Sequence, residues 1–318
     1  MRVLVTGAGG FVGQAVLARL QAEPDWEPVA AYRRPGTAAP PGVRALIIGD
    51  LADDWQVGLE GVQVVIHCAG RAHVMQDTSA DPLAEFRKVN VAGTLHLARQ
   101  AANAGVRRFI FLSSIKVNGE ATEPGHAYTA QDRPAPGDPY GISKCEAERQ
   151  LLALGRETGM DVVVIRPVLV YGPGVKANFR SLLGWVSKGV PLPLGALHNK
   201  RSLVALDNLV DLIRVCVLHP AAANRTFLVS DGDDLSTTEL LQRVALAMGR
   251  SPRLIPVPAA WLMAGAKFAR REDIARRLCG SLQVDIGDAR RLLGWQPPVG
   301  VNQALKKTAD AFLAEQPR

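Results

Sequence analysis

The sequence predicts an α/β fold: a doubly wound parallel sheet of the Rossmann type with a smaller C-terminal α/β substrate lobe. Three observations carry this. The chain opens on a short apolar strand, a glycine-punctuated turn and a helix, VLVTGAGGFVG. Its first half then alternates short β-rich runs with helical patterns, the rhythm of a parallel sheet. After Pro167 that rhythm gives way to Gly- and Pro-rich segments, YGPGVKANF and GVPLPLG. The expected division is a dinucleotide-binding domain over residues 1–170, to which 201–232 returns, and a substrate-binding lobe from 171–200 and 233–318. A chain of 318 residues has core enough for both.

Taken in order, strands are expected at residues 3–5, 29–32, 45–48, 62–67, 109–112 and 162–165. The intervening helices carry their own punctuation. Asp81-Pro82 supplies an N-cap and a proline at the first helical position, and Gly105 closes that helix. Asp138-Pro139 opens another, which Gly159 ends. Further on come a strand in SLVAL, a helix from Asp207 and a strand at 227–230. Ser236 and Glu239 then form a capping box for a helix ending near Gly249. AAWLMAGAKFARR, from Ala259, reads as a core-facing helix with a basic end. The tail closes with LLGWQP and a final helix.

Composition limits the function. Hydrophobic residues are 47% and charged residues 21%, a globular balance. No stretch approaches the roughly 20 apolar residues of a membrane span, and the N-terminal apolar run is too short for a signal peptide. Cys68, Cys145, Cys216 and Cys279 fit neither a metal spacing nor a disulfide framework, so a reducing cytoplasm and no metal are expected. The net charge of +7 could serve nucleic acid or small anions. Its basic pairs (Arg107-Arg108, Arg270-Arg271, Arg276-Arg277, Arg290-Arg291) are dispersed and lack interleaved aromatics. They read as solvated faces, and no nucleic-acid partner is expected.

Two local patterns carry chemistry. Gly7, Gly10 and Gly13 space a turn between the first strand and a helix starting near Phe11. Such a turn lets a pyrophosphate approach the backbone and rest on the helix N-terminus. In PYGISKCEAE, Tyr140 and Lys144 stand one helical turn apart, their Cβ atoms about 5–6 Å from each other. A phenol titrates near about pH 10. A nearby ammonium and an oxidised nicotinamide lower that value, so the pair could exchange a proton with a substrate oxygen while hydride moves. A hydroxyl partner is expected at the end of FIFLSSIKVNG, where Ser113 and Ser114 both qualify. Strand alternation turns only one of them toward the crevice.

Together with HCAG (67–70), VNVAGT (89–94) and RPVLVYGP, these motifs resemble the extended short-chain dehydrogenase/reductases over almost the whole chain. The likeness is strongest to the nucleotide-sugar branch, around the UDP-glucose 4-epimerases and the 4-reductases of UDP-4-keto-6-deoxy-amino sugars. The resemblance selects Ser114 over Ser113 and implies Ser114, Tyr140 and Lys144 as the catalytic set. It implies cofactor contacts from Gly7, Gly10, Phe11, Val12, Gly13, Asp50, Leu51, Cys68, Ala69, Gly70, Tyr140, Lys144 and Pro167. Asn178 and Arg201 fall on residues that hold the nucleotide diphosphate in relatives. A homodimer is implied through the helices that begin near Asp81 and Asp138. One departure puts nearby substrate contacts in doubt: the family's V-Y-G is V-N-G here, with Asn118 for tyrosine.

A second departure bears on the cofactor. Arg33, followed by Arg34, stands 20 residues after Gly13, where an aspartate for the ribose of NAD is usual in the epimerases. An acid repels a 2′-phosphate, whereas a guanidinium fork suits one. NADP(H) is therefore the expected cofactor and NAD(H) the alternative, unless both arginines are merely solvated. NADPH in turn suggests a one-way reaction. The leading expectation is reduction of the 4-keto group of a UDP-linked 6-deoxy-amino sugar for a surface polysaccharide such as O-antigen. The alternatives are an NAD-dependent UDP-sugar 4-epimerase and a regulator that senses the dinucleotide without turnover.

Overall fold

Alternate residues of the central strands face opposite cores, and that alternation builds the molecule. The structure, a computed structural model, describes residues 1–34, 36, 39–72, 79–123, 125–269 and 272–316. Its elements begin β1 (Arg2–Thr6), α1 (Phe11–Gln21), β2 (Glu27–Tyr32), β3 (Arg44–Ile47), α2 (Gln56–Leu59) and β4 (Val64–His67). They continue through α3 (Pro82–Arg87), α4 (Thr94–Asn103), β5 (Arg108–Leu112), α5 (Pro139–Thr158) and β6 (Asp161–Pro167). Next come β7 (Leu169–Tyr171), α6 (Ala177–Ser187), β8 (Leu203–Ala205), α7 (Leu206–Leu218) and β9 (Arg225–Val229). The chain ends with α8 (Thr237–Ala247), α9 (Ala259–Phe268), α10 (Glu272–Cys279), α11 (Gly287–Leu293) and α12 (Val301–Ala314).

Among the described residues, seven strands pair in parallel in the order β3-β2-β1-β4-β5-β6-β9. The sheet reverses between β1 and β4, so a crevice opens there at the strands' carboxyl ends. Val3 and Val5 pack with α1 and α7 on one face, while Leu4 packs with α4 and α5 on the other. Truncating a residue as enclosed as Leu4 to alanine typically costs about 2–5 kcal/mol. A third cluster joins α6, α8 and α12 into the C-terminal lobe, with Phe179, Leu241, Leu305 and Phe312 at its centre. The SLVAL strand, β8, pairs only with β7, beside the main sheet.

Helix punctuation follows chemistry. Asp81 caps α3 by accepting from the amide of Ala84, and Asp138 caps α5 by accepting from Gly141. Gly159 ends α5 at φ +77°, and the Ser236–Glu239 capping box opens α8. The single helix expected from Asp81 to Gly105 differs from that expectation, because a π-helical stretch, Lys88–Gly93, separates α3 from α4.

Two expectations need correction. Arg108 is not on a solvated face. It is buried, donates to the carbonyls of Cys216, Val217 and His219, and pairs with Asp161. Helix α9 is not a buried core helix: Ala259 and Leu262 touch the C-terminal lobe's core, but none of its residues is buried, and Trp261 and Phe268 are 75% and 95% exposed. Its apolar residues run all the way round, so periodicity gave no inner face to choose. Arg270 and Arg271, at its basic end, lie outside the described residues, as does Pro35 of the VAAYRRPG stretch.

Candidate active site

The glycine turn folds as its spacing requires. Gly7 adopts φ +67°, and a Cβ there would lie 2.7 Å from the backbone of Cys68 and Ala69. A Cβ on Gly13 would lie 2.2 Å from the carbonyl oxygen of Gly7. Both positions therefore need glycine, and together they pack the end of β1 against the end of β4 and the start of α1. Gly10 caps α1 without a side chain, which leaves the helix's first amides for an anion. The side chains of Phe11 and Val12 pack against the core and stay partly exposed. The chemistry of this turn fits a dinucleotide pyrophosphate. An open cleft of about 430 Å³ begins at Gly9 and Phe11, bordering the turn rather than the tyrosine-lysine pair.

The HCAG loop leaves β4 beside this turn. His67 is fully buried, with Nδ1 2.7 Å from the hydroxyl of Thr6 and Nε2 3.0 Å from that of Thr94. Burial and the charge of Lys144 push its pKa down to about 3, so it is neutral at ordinary pH. Burial raises the thiol of Cys68 to about 12, and it stays protonated. Gly70 lacks the Cβ that would stand 3.4 Å from the Lys144 ammonium. Asn90, from the π-helical stretch, accepts from the amide of Arg71 and donates to the carbonyl of Arg71 and the hydroxyl of Ser143.

Ser114, Tyr140 and Lys144 meet where β5 ends and α5 begins. The hydroxyl of Ser114 accepts from the amide of Lys116 and lies near enough to the phenol of Tyr140 to lower its pKa. Ser113 points the other way and donates to the buried Glu148, as alternation along a strand demands. Lys144 donates to the carbonyl of Leu112 at 2.8 Å and lies 4.3 Å above the ring of Phe111. Burial lowers its pKa to about 8, partly opposed by Glu148. Tyr140 is partly exposed as a residue, but its phenol end is enclosed. Its pKa does not fall as expected from the neighbouring lysine. Burial drives it up to about 12, the Ser114 hydroxyl lowers it, and Asp138 raises it further. Among protein groups alone, desolvation outweighs any help from Lys144.

Several residues that set this corner were not singled out by sequence reasoning, and Asp138 was singled out only as a helix cap. Lys116 pairs with Asp138, so the carboxylate that caps α5 also ties it to the loop of Ser114. A Cβ on Gly141 would lie 2.8 Å from the carbonyl of Lys116, so glycine lets the two segments close. Behind them Arg166 and Glu148 form a buried ion pair, 2.5 Å between Nη2 and Oε2. Asn118, the departure from V-Y-G, accepts from Arg166 and donates to the carbonyl of Thr129. It is a core residue of this network and 1% exposed, so it does not face a substrate.

Elsewhere in the crevice the expected residues are less bound. Arg33 and Arg34 follow β2 and are both exposed. Asp50 is exposed and accepts from the amide of Leu51, whose side chain packs against Gly93. Pro167 ends β6, buried beside Val229 of β9. Asn178 stands exposed in the first turn of α6, after Ala177 at φ +54°. Arg201 is half-buried and donates to the carbonyls of Arg277 and Gly280, at 2.9 and 3.0 Å. Burial and the charge of Arg277 lower its pKa. Among the described residues, no carboxylate pairs with Arg201, and no hydrogen bond joins it to Asn178. The four cysteines are free thiols. No helix of the described residues is long and apolar enough to cross a membrane.

Residues 3–230 match the NAD dependent epimerase/dehydratase family. A Vibrio cholerae protein described as a UDP-glucose 4-epimerase is 48% identical over 98% of this chain and 95% of its own length. The structure of MoeE5 in complex with UDP-glucuronic acid and NAD superposes with a TM-score of 0.80 at 25% identity, covering 99% of this chain and 100% of that one. A UDP-glucose 4-epimerase from Thermotoga maritima, solved with UDP-glucose, has the same fold, with a TM-score of 0.77, 23% identity and 99% of each chain covered. The similarity at 48% identity overturns the expected NADPH-dependent 4-ketoreductase. The expectation failed because it passed from Arg33, at the adenosine end of the crevice, to a reaction at the other end.

Proposed function

The chain belongs to the NAD dependent epimerase/dehydratase family, and from that premise we propose that it is an NAD-dependent 4-epimerase of a UDP-hexose. The observation that carries this reading is the 48% identity over nearly the full length of both chains. The meeting of Ser114, Tyr140 and Lys144 at one corner supports it.

In this reading the amides of the glycine turn and the start of α1 hold the pyrophosphate, and Lys144 holds the nicotinamide ribose. When bound, oxidised nicotinamide takes hydride from C4 of the sugar and returns it, and its positive charge favours ionisation of a nearby phenol. Tyr140 takes the proton of the C4 hydroxyl and later gives it back. Ser114 donates a hydrogen bond to the same oxygen, steadying it as its charge changes. Lys144, held by the carbonyl of Leu112, adds positive charge to the pocket floor. Hydride returned to the opposite face of C4, with the proton given back to its oxygen by Tyr140, would invert C4 with no net redox.

Arg201 suits the UDP diphosphate because its charge is half-buried beside Arg277 without a carboxylate partner among the described residues. Asn178, at the mouth of α6, is the second diphosphate ligand. Arg33 and Arg34 leave room for a 2′-phosphate, so NADP is tolerated while NAD is the working cofactor. A homodimer through α3, α4 and α5 completes the reading, and sedimentation analysis tests it.

The direct test supplies the protein with NAD and either UDP-glucose or UDP-N-acetylglucosamine and follows C4 by proton NMR. Inversion of one of these sugars without net change in nicotinamide absorbance is expected. No inversion of either, or stoichiometric consumption of reduced cofactor, overturns the reading.

A further inference from the structure

We propose that the α9–α10 hairpin docks this protein on an anionic lipid surface. The inference stands apart from the epimerase reading, since none of its variants touches the crevice. Trp261, Ala264, Gly265 and Phe268 occur at helical spacing, so they form one stripe along α9, and all four are exposed. The opposite side of the helix carries Leu262, which packs on the C-terminal lobe's core. Neighbouring segments carry further exposed apolar side chains. Ile274 of α10 is exposed beside α9, as are Ile255, just before it, and Val190. The segment of Val190 lies alongside that of Ile255, because Leu192 exchanges backbone hydrogen bonds with Arg253 and Ile255. A soluble monomer seldom leaves so many large apolar side chains together on its surface.

The surrounding charges identify the occupant. Lys188, Arg253 and Lys267 are exposed at the edges of this patch. Among the described residues none of the three pairs with a carboxylate. The acids present are Glu272, which pairs with Arg276, and Asp273. Apolar side chains rimmed by cations, with a tryptophan among them, match an interfacial helix lying in the headgroup plane of an anionic bilayer. A second copy fits worse, because a two-fold contact would set these cations against their own equivalents.

The test sediments the full-length protein with vesicles of equal parts phosphatidylglycerol and phosphatidylcholine, or of phosphatidylcholine alone, at low and high salt. Binding to the anionic vesicles is expected to exceed binding to neutral ones by about tenfold or more, and to fall as salt rises. The double variant W261A/F268A should bind about tenfold less with an unchanged melting temperature, since neither side chain is buried. Lys267→Glu tests the electrostatic part without removing an apolar group. Absence of binding, equal binding to both vesicle types, or equal binding by wild type and W261A/F268A overturns the proposal. So does a dimer that W261A/F268A converts to monomer, which would assign the patch to a second copy.

Discussion

The two ends of the crevice were read from the sequence with equal ease, yet they bear on function unequally. At one end Tyr140 and Lys144 are enclosed beside Ser114 and shifted in pKa by their surroundings. At the other, Arg33 and Arg34 stand in solvent. An enclosed group is held to a narrow set of protonation states and directions, so its identity constrains the chemistry. An exposed guanidinium tolerates several ligands and constrains little. Inference about the reaction therefore belongs to the enclosed end.

The comparison breaks first at Tyr140. Replacement by phenylalanine keeps the ring that packs edge-on against Phe86 and removes only the proton carrier. C4 inversion should slow by about 10²–10⁴-fold with cofactor affinity unchanged. Near-normal turnover in a stopped assay would remove Tyr140 from the mechanism.

Lys144 tests the same enclosure through stability. Its folded pKa, about 8, lies below the ordinary 10.5, so the unfolded chain binds more protons between those values. Burying the charge then costs on the order of 3 kcal/mol below pH 8, offset by about 1 kcal/mol for the bond to Leu112. Lys144→Met should thus be inactive yet more stable than wild type at pH 7. Its advantage should shrink as pH rises from about 8 to 10.5, which denaturant titrations at several pH values would follow. A gap that widens with pH would contradict the buried charge.

Smaller effects sharpen the contrast. Arg201→Ala should weaken UDP binding by about 1.5–3 kcal/mol in calorimetry, the worth of a charged hydrogen bond. Asp138→Ala removes both the cap of α5 and the partner of Lys116. A lost N-cap costs about 0.5–2 kcal/mol of stability, and kcat should fall while KM holds, because Tyr140 loses its bearing on Ser114. The smallest change is expected at the exposed end. Replacing Arg33 and Arg34 by alanine should reduce NADP affinity by less than about tenfold and leave NAD affinity alone. A larger loss in direct titration would show that the exposed end discriminates after all.

What the sequence disclosed followed from how local each signal was. The glycine turn, the caps at Asp81 and Asp138 and the Tyr140–Lys144 spacing lie within a few residues of chain, and the structure bears out their geometry. Arg108 was misread because its carbonyl partners lie more than a hundred residues away. The network of Glu148, Arg166 and Asn118 was missed because three separate elements supply it. Helix α9 was misread because its composition is that of a core helix, and composition does not say whether anything comes to cover it.

The π-helical stretch gives the molecule a requirement of length. Such a turn holds one residue more than an α-helix would use over the same rise. Deleting one residue between Lys88 and Gly93 would let α3 run directly into α4 over the same rise, with the flanking helices keeping their directions but the wide turn lost. Asn90 would then let go of Ser143 and of the backbone at Arg71. The site therefore depends on a count as well as on identities. A chain with every catalytic residue in place and one residue fewer here would lack the means to hold them, and substitution alone could not restore it. A compensating insertion within the same few positions could.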